Sequence, residues 1–232
     1  MLYLIGLGLN ENSISLEGLE TIKKCRRIYL DNYTVKFPYP VKALEKVIGK
    51  SIIEADRDTL ESGHLIEESQ NKDIALLVYG SPLFATTHII LLMESKNKTE
   101  VKVIHNASIF DAIGETGLQL YKFGKITSMP KWNKEIDSFL DIVLENEKIN
   151  AHSLILIDIG LEFDKALIQL EKAAKNKNIK LDKIVVCSRM GNKNEILYNT
   201  ITKLKGKKVD EPFCFIIPGK LHFLEEDFLD NI

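Results

Sequence analysis

Short, unbroken runs of Ile, Val and Leu recur along this chain, and most are followed by a segment whose apolar residues repeat at helical spacing. The runs occupy residues 2–5, 27–30, 74–79, 101–105, 154–159, 184–187 and 213–217. Most are continuous rather than alternating, which is how strands buried on both faces read. Leu16, Leu19, Ile22 and Cys25 fall on one helical face after the polar start at Asn12 and Ser13. Val41, Leu44, Val47 and Ile48 do the same after Pro40, where Phe37-Pro38-Tyr39-Pro40 reads as a stiff extended connector. Ile136, Phe139, Leu140, Val143 and Leu144 form another stripe, and Ala166, Leu167, Leu170 and Ala174 the next. Ile196, Leu197, Ile201 and Leu204 form the last predicted helix, stopped by Gly206. Strand–helix alternation predicts an α/β fold with a largely parallel sheet. The pattern restarts after His105-Asn106-Ala107 with a helix over 108–115, so two α/β domains are expected, residues 1–107 and 108–232.

Composition narrows the function classes. The chain has 232 residues, 45% apolar and 28% charged, and a net charge of −2, a globular profile that provides no field to draw in nucleic acid or an anionic membrane. The longest apolar runs fall far short of the ~20 residues that span a bilayer. Met1 to Ile5 have no basic stretch before them and no small-residue cleavage site after them, so a cytoplasmic protein without a signal peptide is expected. Cys25, Cys187 and Cys214 are odd in number and widely spaced, which fits a reducing compartment rather than a disulfide framework. The five histidines have no zinc-site spacing, and no metal is expected. A nucleophile elbow, a P-loop and a Cys-x-x-Cys pair are all absent.

Five strand ends carry the residues from which chemistry is built. Gly6-Leu7-Gly8-Leu9-Asn10 begins like a dinucleotide loop, but the third glycine of that fingerprint would fall at Glu11, whose carboxylate repels a pyrophosphate. The glycines mean either that something packs closely on this backbone or that the turn is tight. Tyr79-Gly80-Ser81-Pro82-Leu83-Phe84-Ala85-Thr86-Thr87-His88 follows the most apolar run, at a carboxyl strand end where open α/β sheets bind ligands. Its plainer reading is a strand–helix turn with threonines as caps. His105-Asn106-Ala107-Ser108-Ile109, Cys187-Ser188-Arg189-Met190-Gly191 and Pro218-Gly219-Lys220-Leu221-His222 are further strand ends, each also readable as turn chemistry. Glu225-Glu226-Asp227 reads as a solvated terminal stretch.

Taken in order, these blocks resemble the diphthine synthase family, within the tetrapyrrole-methylase-like (class III) S-adenosylmethionine-dependent methyltransferases. The match is carried by Leu2-Tyr3-Leu4-Ile5-Gly6-Leu7-Gly8-Leu9, by Pro82-Leu83-Phe84-Ala85-Thr86-Thr87-His88, and by Val103-Ile104-His105-Asn106-Ala107-Ser108-Ile109. It continues through Gly114-Glu115-Thr116-Gly117-Leu118-Gln119-Leu120-Tyr121-Lys122-Phe123-Gly124-Lys125, Leu156-Ile157-Asp158-Ile159 and Ile216-Ile217-Pro218-Gly219-Lys220-Leu221-His222. The resemblance implies two α/β domains with a cofactor cleft between them, a homodimer, and S-adenosylmethionine as methyl donor. It implies successive methylation of the amino group on a modified histidine, 3-carboxy-3-aminopropyl-histidine, of the translocating elongation factor. It implies cofactor contacts at Leu9, Ser81, Phe84, Ser108, Ile109, Ile157, Met190 and Phe213, several of them apolar, as suits an adenine clamp with backbone hydrogen bonds. The family usually has aspartate where this chain has Ser81, and the chain is trimmed around 127–133 and 161–182.

Methyl transfer from a sulfonium needs mainly positioning and desolvation, because the donor is already activated. Asp158 and His88 are the obvious proton acceptors, with capping or core packing as their other reading. No base is expected to be essential: replacing either should cost less than ~10²-fold. Two alternatives stay open, a sibling methyltransferase acting on a tetrapyrrole and a non-catalytic cofactor-binding module.

Overall fold

A computed structural model describes residues 1–232, which divide into two compact units, Met1–Ile109 and Phe110–Ile232. The first unit runs β1 (Leu2–Gly6), α1 (Leu16–Lys24), β2 (Arg27–Asp31), α2 (Val41–Ile48), β3 (Ile53–Ala55), α3 (Arg57–Glu61), α4 (His64–Ser69), β4 (Ile74–Val78), α5 (Ile89–Glu94) and β5 (Val101–Ile104). Its strands pair in the order β3-β2-β4-β1-β5, all parallel. Successive residues of a strand face opposite sides of the sheet, and here both sides are covered. Ile5, Ala75, Leu77, Ile28 and Leu30 pack with Ile22, Leu44 and Ile48 on one face. Leu2, Leu4, Tyr29, Ile74, Leu76 and Val78 pack with Leu60, Leu65, Ile66 and Leu91 on the other. That double burial is why the strand runs are continuous.

The second unit begins within α6 (Ile109–Ala112) and continues through two 3₁₀ turns (Ile113–Thr116, Leu120–Lys122), β6 (Thr127–Met129), α7 (Phe139–Lys148), β7 (Ser153–Ile157), α8 (Phe163–Asn176), β8 (Lys183–Ser188), β9 (Glu195–Thr200), α9 (Ile201–Leu204), β10 (Phe213–Ile217) and α10 (Phe223–Asp230). Its sheet order is β6-β7-β10-β8-β9. Only β6 and β7 are parallel; β10 runs against both β7 and β8, and β8 against β9. The expectation of a largely parallel sheet therefore holds for the first unit and fails for the second. The reason is local: β8, β9 and β10 follow one another with only the single helical turn of α9 among them, too little chain for a run of parallel crossovers. The core here centres on Phe163, Phe213 and Phe215, whose ring centroids lie 5.5–6.0 Å apart, with Leu140, Leu167 and Leu170 around them.

Three smaller expectations are corrected. Residues 195–200 are strand, not helix, because Ile196 and Leu197 pair with Cys187 and Val186, and pairing along an edge outweighs helical spacing. Leu16 is 71% exposed; the buried face of α1 is formed by Gly18, Thr21 and Ile22. Ile136 lies before α7, which starts at Phe139. No helix is long and apolar enough to cross a membrane.

Candidate active site

In the first unit the carboxyl ends of β1, β4 and β5 are stitched together by backbone. Gly8 and Gly80 exchange hydrogen bonds, Gly80 N to Gly8 O at 2.9 Å and Gly8 N to Gly80 O at 3.3 Å. The Asn106 amide donates to Gly6 O at 3.1 Å and to Ser13 O at 2.9 Å, while its oxygen accepts from Ala107 N at 2.8 Å. Such close passage requires Gly6: a Cβ there would lie 2.7 Å from Gly80 O and 2.9 Å from Asn106 Cβ. The tight turn and the close approach read from the glycines are one feature, since the β1 loop is tight because two other loops lie on it.

Gly80 marks a notch. Its φ is +69°, and a Cβ there would stand 3.6 Å from Ser108 Cα, 3.7 Å from Ala107 O and 4.0 Å from Leu9 Cδ2. Leu9, Gly80 and Ser108 thus face one another across a gap about one small side chain wide. Leu9 is buried, and its carbonyl accepts from the Tyr79 hydroxyl at 3.2 Å. Ser81 and Phe84 are half-buried and joined by a turn in which Phe84 N donates to Ser81 O at 3.2 Å. Ser108 is buried and Ile109 half-buried. Burial pushes the Tyr39 and Tyr79 hydroxyls well above their ordinary value, outside any useful proton-transfer range, so both act as neutral groups.

The segment after β4 is held from behind. Pro82 O accepts from His88 Nδ1 at 3.0 Å and from Thr86 Oγ1 at 2.7 Å. His88 Nε2 lies 3.2 Å from Asp31 Oδ2, an oblique approach that makes an electrostatic contact rather than a straight hydrogen bond. Asp31 is fully buried and accepts from Tyr33 N at 2.9 Å, Thr34 N at 3.1 Å and the Thr34 hydroxyl. Burial alone would raise its pKa, but His88, Thr34 and the Tyr33 peptide more than offset that and hold the carboxyl below its ordinary value. In the sequence the only signal of Asp31 is a carboxylate closing an apolar strand run.

In the second unit, Ile157, Met190 and Phe213 come to the same edge of the sheet, where β7 and β8 end and β10 begins. Ile157 is half-buried and Met190 buried. The Phe213 side chain is buried in the aromatic core, so only its backbone can face a ligand. Asp158 is a turn clamp, accepting from Lys131 N and Ile159 N, each at 3.0 Å. Asp158 and His88 are thus both committed to backbone partners.

Of the terminal carboxylates, Glu226 and Asp227 are exposed as expected, and Glu225 is not. Glu225 is 1% exposed, not solvated. It accepts from Gln119 N at 2.9 Å, His222 N at 2.7 Å, His152 Nε2 at 3.2 Å and the Lys122 ammonium. Burial would raise its pKa, but these donors hold it down at about 2. His152 Nδ1 accepts from Gly219 N at 2.9 Å, so its single ring hydrogen sits on Nε2 and points at Glu225. Burial accordingly lowers the His152 pKa. The Lys122-Phe123-Gly124-Lys125 and Pro218-Gly219-Lys220-Leu221-His222 blocks meet at this joint, which is internal to the fold.

Comparison with known proteins places this geometry. Residues 1–205 match the family model for Tetrapyrrole (Corrin/Porphyrin) Methylases. The chain is 41% identical to the diphthine synthase of Methanocaldococcus jannaschii, over 99% of this chain and 97% of that protein. The chain belongs to the diphthine synthase family. It is accordingly a methyltransferase, of a family that uses S-adenosylmethionine. A solved structure titled diphthine synthase superposes with a TM-score of 0.90 at 30% identity, over 99% of this chain and 94% of that one. The diphthine methyl ester synthase of Schizosaccharomyces pombe is 46% identical over 70% of this chain and 59% of its own length. Membership in the diphthine synthase family, rather than in the tetrapyrrole-acting branches, agrees with the specificity of the strand-end blocks.

Proposed function

We propose that this chain transfers methyl groups from S-adenosylmethionine to the amino group of 3-carboxy-3-aminopropyl-histidine in the translocating elongation factor, a step in diphthamide biosynthesis. The observation that carries the reading is the notch at Gly80, where Leu9, Ser108 and the start of the Ser81 turn come together. Its chemistry fits a nucleoside without phosphates: peptide groups and serine hydroxyls, apolar Leu9, Phe84 and Ile109, and no lysine or arginine in residues 6–10, 79–88 or 106–109. A pyrophosphate would find no cation there and would meet Glu11, which argues against a dinucleotide.

In the first unit Leu9, Ser81, Phe84, Ser108 and Ile109 would hold the donor. When bound, S-adenosylmethionine supplies an activated methyl group. The chain's residues position the reactants. Ser81, in place of the family aspartate, offers a hydroxyl but no negative charge. With Asp158 and His88 already engaged, the proton of the amine leaves to solvent rather than to a dedicated base. The protein is read as a cytoplasmic homodimer.

The test is incubation with labelled donor and elongation factor carrying the unmethylated precursor, followed by peptide mass analysis. Alkali-stable label on the modified histidine supports the reading. Label on a porphyrinoid instead, or none on either, overturns it. A second outcome is favoured by the yeast relative's name: a methyl ester on the same side chain. Mild alkali would remove such a methyl and leave N-methyl groups in place.

A further inference from the structure

We propose that Asp31 and His88 are positioning residues that set the shape of the Ser81–Phe84 segment for donor binding, acting through the Pro82 carbonyl. This rests on the reading that Ser81 and Phe84 contact the donor.

Within the segment only the Phe84 N–Ser81 O turn bond ties backbone to backbone. Pro82 has no N–H, so the chain is deprived of a donor at its centre. Ala85 sits at φ +55°, a left-handed conformation that is unfavourable for a side-chain-bearing residue and persists only where the surroundings impose it. What imposes it is the double grip on Pro82 O by Thr86 Oγ1 and His88 Nδ1. His88 is in turn fixed by its position, 2% exposed, with its other nitrogen against the fully buried Asp31. Asp31 takes its own orientation from Tyr33 and Thr34, in the turn that leaves β2. A chain of polar contacts therefore runs from the end of β2 to the site loop after β4, two strands that are neighbours in the sheet.

Core filling alone does not account for this. A buried imidazole and carboxylate bring a desolvation cost that an apolar pair of equal volume would avoid, so their contribution is direction rather than bulk. The direction they provide is a donor aimed at one carbonyl of the site loop.

Side-chain geometry supplies the test. The Asn amide nitrogen overlays His Nδ1, and the Gln amide nitrogen overlays His Nε2. S-adenosylhomocysteine is titrated calorimetrically into the unsubstituted full chain, His88→Asn, His88→Gln and Asp31→Asn, with the melting temperature and kcat of each measured alongside. His88→Asn keeps the bond to Pro82 O and should bind within about threefold of the unsubstituted protein, whereas His88→Gln loses it and should bind roughly tenfold more weakly. Asp31→Asn should fall between the two. In all three kcat should change less than the dissociation constant does. Equal weakening by Asn and Gln, or melting losses with unchanged affinity, would overturn the proposal and leave His88 a core residue. If a His88 variant fails to fold, Thr86→Val removes the other donor to the same carbonyl; it should weaken binding about threefold, and unchanged affinity would overturn the proposal. A flat titration with the unsubstituted protein is a different result: it removes the cofactor reading itself.

Discussion

The two units use their distinctive residues in opposite ways. In the first, a parallel sheet buries both faces and leaves its carboxyl-end loops as the place where unusual residues collect: Gly6, Gly8, Gly80 and Asn106 bind the loops to one another, and Leu9 and Ser108 face Gly80. In the second, a mixed sheet places its most distinctive motifs in a joint. Gly124 passes so close to Asn146 that no side chain fits, Gly219 lies against the Ala151 carbonyl, and Glu225 gathers four donors. The lesson is that a specific motif marks a demanding geometry, and the demand is as easily internal as directed at a ligand.

That contrast predicts separable phenotypes. The largest effect is expected at Glu225. Glu225→Ala leaves two backbone donors, an ammonium and an imidazole unpaired, and should cost about 3–5 kcal/mol of stability in denaturant unfolding. At temperatures where the variant stays folded, its affinity for S-adenosylhomocysteine should match that of the unsubstituted chain.

Acid should weaken the second unit next most. Glu225 is held at about 2 against an ordinary 4.5, so its contribution, about 3 kcal/mol, is complete above pH ~4.5 and is lost as pH falls toward 2. His152 has the same sign: its folded pKa is lowered, so below ~6.5 the unfolded ring takes a proton that the folded ring resists. Melting temperatures recorded from pH 7 to 3 should decline, with a shallower decline in Glu225→Ala.

The first unit should give the reverse pattern. Gly80→Ala adds a methyl group in the notch at a φ of +69°. It should cost only about 1 kcal/mol in stability but tenfold or more in S-adenosylhomocysteine affinity. A large stability loss with affinity intact would erase the distinction between the units. The smallest effect is expected for Ser81→Asp, which would set a negative charge beside the proposed cationic donor and should improve S-adenosylmethionine affinity by up to about fivefold. The neutral sulfur of S-adenosylhomocysteine should respond less.

The first unit is largely legible in the sequence, because its strands are buried on both faces and announce themselves as continuous runs. β3 and β6, three residues each, are too short to show a pattern. β9 read as helix because Ile196, Leu197, Ile201 and Leu204 satisfy helical spacing, while its actual support is the neighbouring strand, which no local pattern reports. At the site, the glycines and the Ser81 turn stood out by residue type. Asp31 did not, since a lone carboxylate at a strand end looks like any polar exit from the sheet; only the fold sets it against His88. Glu225 was misread for a related reason: its burial depends on partners about a hundred residues away at Gln119 and Lys122.

The central claim is that the loops after β1, β4 and β5 hold the methyl donor. A crystal structure of the chain grown with S-adenosylhomocysteine tests it most directly. The account predicts the nucleoside at the Gly80 notch, against Leu9, Ser81, Phe84, Ser108 and Ile109. A ligand bound elsewhere on the chain, or a notch left empty at saturating concentration, would contradict it.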